Sequence, residues 1–307
     1  MWTKVPKMNM EKEEIKKELL TITDWRHPFE VEPGVWVPLF RDWHKDWHQW
    51  RVKVLMPTIE KMAALFIPGG IKAARVLDIG CWDGFYGFEF MKRGAKFLKG
   101  IDLRAEALRR ANLVKEYFGY PNCEFEQQNI QDKQFDRERY DITLLYGVLY
   151  HLTAPIDVLK RLGDITTTML LVNTYASSEP QPILKLKRED PEKDSTGFQG
   201  LITRPSQAAL WEMLDFAGFD VILRDYPYPF YERYRDSDFG FFYAIKSRGD
   251  QEKVRKILND LEVREAYNPR SKQHQIVRIR KQPPGQSRLS FRKRTGKTLH
   301  KLIDKLF

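Results

Sequence analysis

Asp78, Gly80 and Gly84 belong to the stretch Val76-Leu77-Asp78-Ile79-Gly80-Cys81-Trp82-Asp83-Gly84-Phe85, which reads as a buried strand running straight into a tight glycine turn. Two glycines and an acid leave room for a ligand against the backbone, yet the largest side chain of all, Trp82, sits between them. A second strand ends in Gly100-Ile101-Asp102-Leu103. An acid there is placed to accept both hydroxyls of a ribose, as in dinucleotide folds. After a third strand, Gln127-Gln128-Asn129-Ile130 offers an amide for an adenine edge and an apolar residue to cover its ring. A fourth strand ends in YGVLYHL, Tyr146 to Leu152. Here His151 has the pKa range of a general base, although a histidine at such a turn equally hydrogen-bonds neighbouring backbone. Tyr146 and Tyr150 are placed to line the reacting end of a cavity.

His44 and His48 stand four apart in WHKDWHQW, a spacing that suits a metal ion. No glutamate lies between them and no third ligand is evident. Trp43, Trp47 and Trp50 follow helical spacing, so the simpler expectation is an aromatic helix face packed on the core, with no metal.

These residues need a sheet to hold them. From Arg75 onward, short apolar strands alternate with amphipathic helices, the pattern of a parallel sheet built from βαβ units. Strands are expected at 75–79, 97–102, 124–129, 141–147, 169–174, 221–227 and 240–246, and helices near 85–93, 105–118, 155–162 and 205–217. Pro205 is expected in the first turn of the last helix, with Gly218 as its stop. Upstream, 12–22 and 51–66 have helical spacing and flank an aromatic, proline-rich segment at 25–50. This part is read as a cap or lid over 1–70. The core is placed at 71–248, with a long polar insertion at 176–204 and a basic extension at 249–307. The extension opens with a candidate helix, VRKILNDLEVREAY.

A chain of 307 residues can bury one core of ordinary size with appendages. Two cysteines cannot build a disulfide framework or a multi-cysteine metal site. No apolar run approaches the roughly 18 to 20 residues needed to cross a bilayer, and the charged amino end lacks an apolar core for a signal peptide. A cytoplasmic protein is expected. The net charge of +10 is concentrated: residues 246–307 hold 18 Lys or Arg against 6 Asp or Glu, leaving 34 against 36 elsewhere. Near the end, SFRKRTGKTLHKLIDKLF puts Leu299, Leu302, Ile303 and Leu306 on one helical face beside lysines. That pattern suits an anionic membrane surface, with nucleic acid as the other anionic partner, or an ordinary docked helix.

VLDIGCWDG, GIDLRAEALRRA, EQQNIQD and YDITLLYGVLYHL resemble, in order and spacing, the four motifs of the class I S-adenosylmethionine-dependent methyltransferases. The resemblance covers residues 75 to 246. It implies a Rossmann-like α/β fold with a seven-stranded, mostly parallel sheet and helices on both faces. It also implies S-adenosyl-L-methionine (SAM) as cofactor, held by Asp78, Gly80, Cys81, Trp82 and Gly84 of the first motif, Asp102 and Leu103 of the second, Asn129 and Ile130 of the third and Tyr146 of the fourth. The first motif departs from the family's Gly-x-Gly-x-Gly at Trp82, which is expected to point away from the cofactor, walling the pocket or packing on the lid. GVLYHLTAPIDVLKRL, ITRPSQAALWEMLDFAGF and DWHQWRVKVLMPTIEKM further resemble the enzymes that carboxymethylate wobble uridine in tRNA.

The expectation is a methyltransferase acting on an O or N nucleophile of a small molecule or glycan, with Tyr150 and His151 at the catalytic end. A tRNA-modifying (carboxy)methyltransferase is the first alternative, and a non-catalytic nucleotide-binding scaffold the second. The near-neutral core favours the first reading, because RNA enzymes carry positive charge around the active-site mouth. Ordinary SAM is expected over the carboxylated form. The resemblance implies three groups for the extra carboxylate. Tyr150 matches one, Lys45 and Lys53 fit the upstream pattern loosely, and Arg233 or Arg235 approximates the late arginine.

Overall fold

The computed structural model describes residues 10–132, 135, 138–190, 192, 200–225, 239–260, 265–268 and 273–276. In chain order the elements are α1 (Lys12–Thr21), β1 (Glu30–Glu32), β2 (Val35–Trp36), α2 (Trp43–Phe66), β3 (Arg75–Ile79), α3 (Phe85–Lys92), β4 (Phe97–Asp102), α4 (Ala105–Phe118), β5 (Cys123–Gln127) and β6 (Tyr140–Tyr146). There follow α5 (Pro155–Ile165), β7 (Thr166–Tyr175), β8 (Leu184–Arg188), β9 (Leu201–Pro205), α6 (Gln207–Phe216), β10 (Val221–Asp225), β11 (Phe239–Ile245), α7 (Gln251–Asp260), β12 (Glu265–Asn268) and β13 (Gln273–Ile276).

The main sheet runs β13-β12-β10-β11-β7-β6-β3-β4-β5. Strands β5, β4, β3, β6 and β7 are mutually parallel, whereas β11 is antiparallel to both β7 and β10. The seven strands from β10 to β5 form the expected Rossmann-like sheet. Backbone pairing of β12 with β10, and of β13 with β12, extends it to nine, so part of the C-terminal extension joins the sheet. Parallel strands covered on both sides need apolar residues on both faces. Alternate positions accordingly feed two cores. Val76, Leu98, Ile142, Leu144 and Leu171 pack under α1 to α4, while Leu77, Ile79, Leu145, Leu170 and Val172 pack under α5 and α6. On the second side, a Cβ at Gly163 of α5 would lie 2.0 Å from the Ala217 carbonyl oxygen, so only glycine permits that approach.

Four expectations are corrected. Helix α2 begins at Trp43, and its buried stripe is His44, His48, Arg51, Leu55, Ile59 and Met62, while Trp43, Trp47 and Trp50 are only partly buried. Its N-terminal turns therefore turn polar side chains inward, where His48 meets Tyr86 Oη of α3 and Arg51 meets Asn173 of β7. Pro205 ends β9 rather than opening α6, whose cap is Ser206, with Oγ accepting the Ala209 N–H at 3.0 Å. The insertion at 176–204 contains the β8–β9 hairpin. The candidate helix after 249 stops at Asp260, and Glu265–Asn268 is a strand, since pairing with β10 outweighs helical periodicity. Among the described residues no helix is long and apolar enough to cross a membrane. The segment carrying Leu299, Leu302, Ile303 and Leu306 lies outside the described residues.

Candidate active site

A cavity of about 330 Å³ opens at the carboxyl ends of β3, β4, β5 and β6, where ligands bind in open α/β sheets. Its floor is the turn after β3. Gly80 lines the cavity with φ 65°, and a Cβ there would meet Val148 Cγ2 at 2.3 Å, so only glycine lets Val148 pack against this turn. Trp82 also adopts a left-handed conformation, φ 52°, unusual for a bulky residue. Trp82 lines the cavity, and its ring lies near two guanidinium groups, Arg104 at 5.0 Å and Arg26 at 5.7 Å from the centroid.

Asp102, at the end of β4, is buried and holds both neighbouring turns. Oδ2 accepts the Trp82 N–H at 3.0 Å and Oδ1 accepts the Arg104 N–H at 2.9 Å. Burial raises its pKa, opposed by Arg104 and by those N–H groups. Asp78 is buried behind the floor, with Oδ2 accepting the Gly87 N–H at 3.1 Å. Burial, with the Asp102 and Asp83 charges nearby, pushes its carboxyl up to about 7.

After β5, Asn129 lines the cavity but spends Oδ1 on the Gln131 N–H at 2.9 Å, an Asx turn. Gln128 lines it too, and its Oε1 is buried without a hydrogen-bond partner. An orphaned acceptor of this kind fits the amino edge of an adenine, and Asp102 beside it fits a ribose. The residues present therefore suit SAM.

Tyr146, Tyr150 and His151 complete the lining beyond β6. Burial raises the Tyr146 pKa. His151 Nδ1 lies 2.7 Å from Glu189 Oε2, and the two side chains are 18% and 7% exposed. The roof comes from the N-terminal segment, through Arg26 and His27. His27 Nδ1 is 2.6 Å from Oδ1 of the fully buried Asp83, and its ring stacks on Phe85 at 5.2 Å, 4° from parallel. Behind it, His48 Nδ1 is 2.7 Å from Tyr86 Oη. Burial lowers the pKa of His48 and takes His44 to about 4, helped in both by His27. Arg51 is buried over the Tyr86 and Phe241 rings, at 4.9 Å from each, and donates to Asn173 Oδ1 at 2.9 Å.

Of the residues singled out from sequence, Gly80, Trp82, Asp102, Leu103, Asn129, Ile130, Tyr146, Tyr150 and His151 line this one cavity. Asp78, Cys81 and Gly84 do not. Cys81 is buried, with its thiol pushed up by burial, and Gly84 supplies the φ 80° that opens α3. Sequence reasoning missed Arg26, His27, Arg51, Arg104 and Glu189. The Arg-His-Pro-Phe run just upstream of the lid helix was the available signal for the first two, and Glu189 had none, because its partner is 38 residues away.

The profile described as "Methyltransferase domain" matches residues 71–233. The chain is 25% identical over 212 residues to the tRNA U34 carboxymethyltransferase of Desulfotalea psychrophila, covering 68% of this chain and 60% of that one. It is 28% identical over 214 residues to the enzyme of that name from Pseudomonas aeruginosa, covering 67% and 59%. The chain thus spans about three fifths of the length of these relatives. Among solved structures, the N-terminal domain of EvdMO1, crystallised in the presence of SAH and D-fucose, has the same fold, with TM-score 0.58, 23% identity and coverage of 77% of this chain and 98% of that one.

Proposed function

The chain belongs to the methyltransferase domain family, of class I and dependent on SAM, and from that premise we propose that its cavity brings SAM to an O or N nucleophile of a small molecule or glycan. The observation that carries this reading is the wall of hydrogen-bonding side chains, Tyr146, Tyr150 and His151, that lines the cavity. An acceptor entering there meets two phenols and an imidazole, while the guanidinium groups of the lining, Arg26 and Arg104, lie against the Trp82 ring.

When bound, SAM supplies a methyl group activated by a sulfonium. The protein's part is to orient and to exclude water, which provides most of the acceleration for such a transfer. Asp102 holds the ribose and, through Trp82, the floor. Gln128 takes the adenine edge. Gly80 keeps the floor low, and Arg26 and His27 roof the site against solvent. Asp78, behind the floor, stabilises the start of α3 rather than touching the ligand.

The printed name of the relatives supports a second reading, transfer of a carboxymethyl group to tRNA. That chemistry demands cations beside an extra carboxylate. Lys45 sits 4.0 Å over the Trp36 ring and does not line the cavity. Arg233 and Arg235 lie outside the described residues. Arg26 and His27 do reach the cavity, but Arg26 lies against the Phe40 and Trp82 rings and His27 is bonded to Asp83. Ordinary SAM is therefore the donor in this proposal, preferred by about tenfold or more, which needs only about 1.4 kcal/mol. Competition calorimetry with both donors, followed by labelled SAM with separate glycan, small-molecule and RNA pools, tests it. Tighter binding of the carboxylated donor, or label appearing only in RNA, transfers the assignment to the tRNA reading.

A further inference from the structure

The insertion after β7 brings a carboxylate to the reacting end of the cavity. Strand β9 is fastened to the Leu149–His151 turn by Thr203, whose N–H and Oγ1 both donate to the Leu152 carbonyl, at 3.0 and 2.6 Å. Glu189 follows β8 directly, and its N–H donates to the Gly200 carbonyl at 2.9 Å, continuing the hairpin ladder. The hairpin thus fixes Glu189 Oε2 at 2.7 Å from His151 Nδ1. Arg204 of β9 lies 3.9 Å from the other oxygen and is braced at 4.3 Å over the Tyr175 ring.

We propose that Glu189 is a positioning residue that holds His151 as the base for a hydroxyl acceptor, an inference that rests on the methyl-transfer reading above. A carboxylate can only accept at this contact, so the neutral imidazole carries its proton on Nδ1 and keeps the Nε2 lone pair for the cavity. Of the two nucleophile classes, the hydroxyl is the one that gains from this arrangement, because a neutral amine already offers a lone pair. The hydroxyl oxygen bonds to the methyl carbon and the carbon–sulfur bond breaks. Its electron pair stays on sulfur, and the hydroxyl proton passes to Nε2. The resulting imidazolium faces the Glu189 charge. His27 also meets a carboxylate, but its ring is clamped between Phe85 and His48, at 5.2 and 4.4 Å between centroids, within the roof.

The test is long-range proton–nitrogen NMR on full-length protein labelled at histidine, with His151→Gln used to assign the resonance. In the wild type, neutral His151 is expected as the Nδ1–H tautomer. Glu189→Gln and Glu189→Ala are expected to move it to a mixture or to Nε2–H, while SAH affinity by calorimetry stays within about twofold of wild type, since Glu189 does not line the cofactor cavity. An unchanged tautomer in both variants with SAH binding retained overturns the role of Glu189. Failure of the wild type to bind SAH counts instead against the methyltransferase reading, and leaves the tautomer result standing as a separate fact.

Discussion

Asp102 Oδ2 accepts the Trp82 backbone N–H at 3.0 Å, so the end of β4 holds the turn that follows β3. One carboxylate thereby joins the end of β4 to the floor of the cavity. With Asp102 as the proposed ribose ligand, Asp102→Ala removes charge-assisted hydrogen bonds to the cofactor and loosens the floor together. SAM affinity is expected to fall tenfold or more, corresponding to about 1.5 to 3 kcal/mol. Calorimetry giving equal affinity for the variant and the wild type would reject the ribose assignment.

Gln128 shows the opposite balance between stability and function. Its Oε1 is buried without a protein partner, and a buried acceptor left unpaired costs about 1 to 3 kcal/mol. Gln128→Leu is expected to raise the melting temperature of the ligand-free protein while weakening SAM binding. A lower melting temperature with unchanged SAM affinity would show that the amide serves only the fold.

Trp82 holds φ 52° where glycine is the natural occupant. Trp82→Gly and Trp82→Ala lose the same indole contacts with Arg26 and Arg104, but only the alanine keeps a side chain in the left-handed region. The glycine variant is expected to be the more stable by about 1 kcal/mol, measured by urea unfolding. Equal stabilities would mean that the turn relaxes once the indole is gone.

Asp78 introduces a pH dependence with a definite sign. Its folded pKa of about 7 lies above the ordinary 3.8, so between those values the folded chain holds a proton that the unfolded chain releases. Stability from this group is therefore full below about pH 4 and lost as pH rises through 7, by an amount on the order of 4 kcal/mol. His44 works in the other direction over an overlapping window. With its pKa lowered from 6.5 to about 4, its contribution is present above 6.5 and lost as pH falls. The wild-type curve mixes the two, so the informative quantity is the difference between Asp78→Asn and wild type. The variant should gain on the wild type as pH rises from about 4 to about 7. A difference independent of pH would show that Asp78 is not the group responsible.

The parallel half of the sheet was legible in the chain because strands buried on both faces leave unbroken apolar runs, as in Val76-Leu77 before Asp78 and Leu144-Leu145 before Tyr146. The turns at their ends carried Asp102 and the glycines Gly80 and Gly147, which line the cavity. The roof was not legible. Arg26 and His27 come from a segment whose bends depend on distant partners, such as Asp83 for His27. Helix α2 misled because periodicity identifies a face without saying which way it turns, and here the inward face carries His44, His48 and Arg51. Glu189 was hidden in a polar insertion that composition alone describes as a loop.

Strand β12 covers one side of β10, and β13 in turn covers β12. The part of the basic extension that forms these two strands is therefore no removable appendage. Cutting the chain after Arg248 would strip β10 of its neighbour and leave a row of bare amide and carbonyl groups on a strand rich in Val221, Ile222 and Leu223. Such an edge is a template for another chain. Loss of solubility on truncation would then report self-association through an uncovered strand, and not loss of whatever the tail itself contacts.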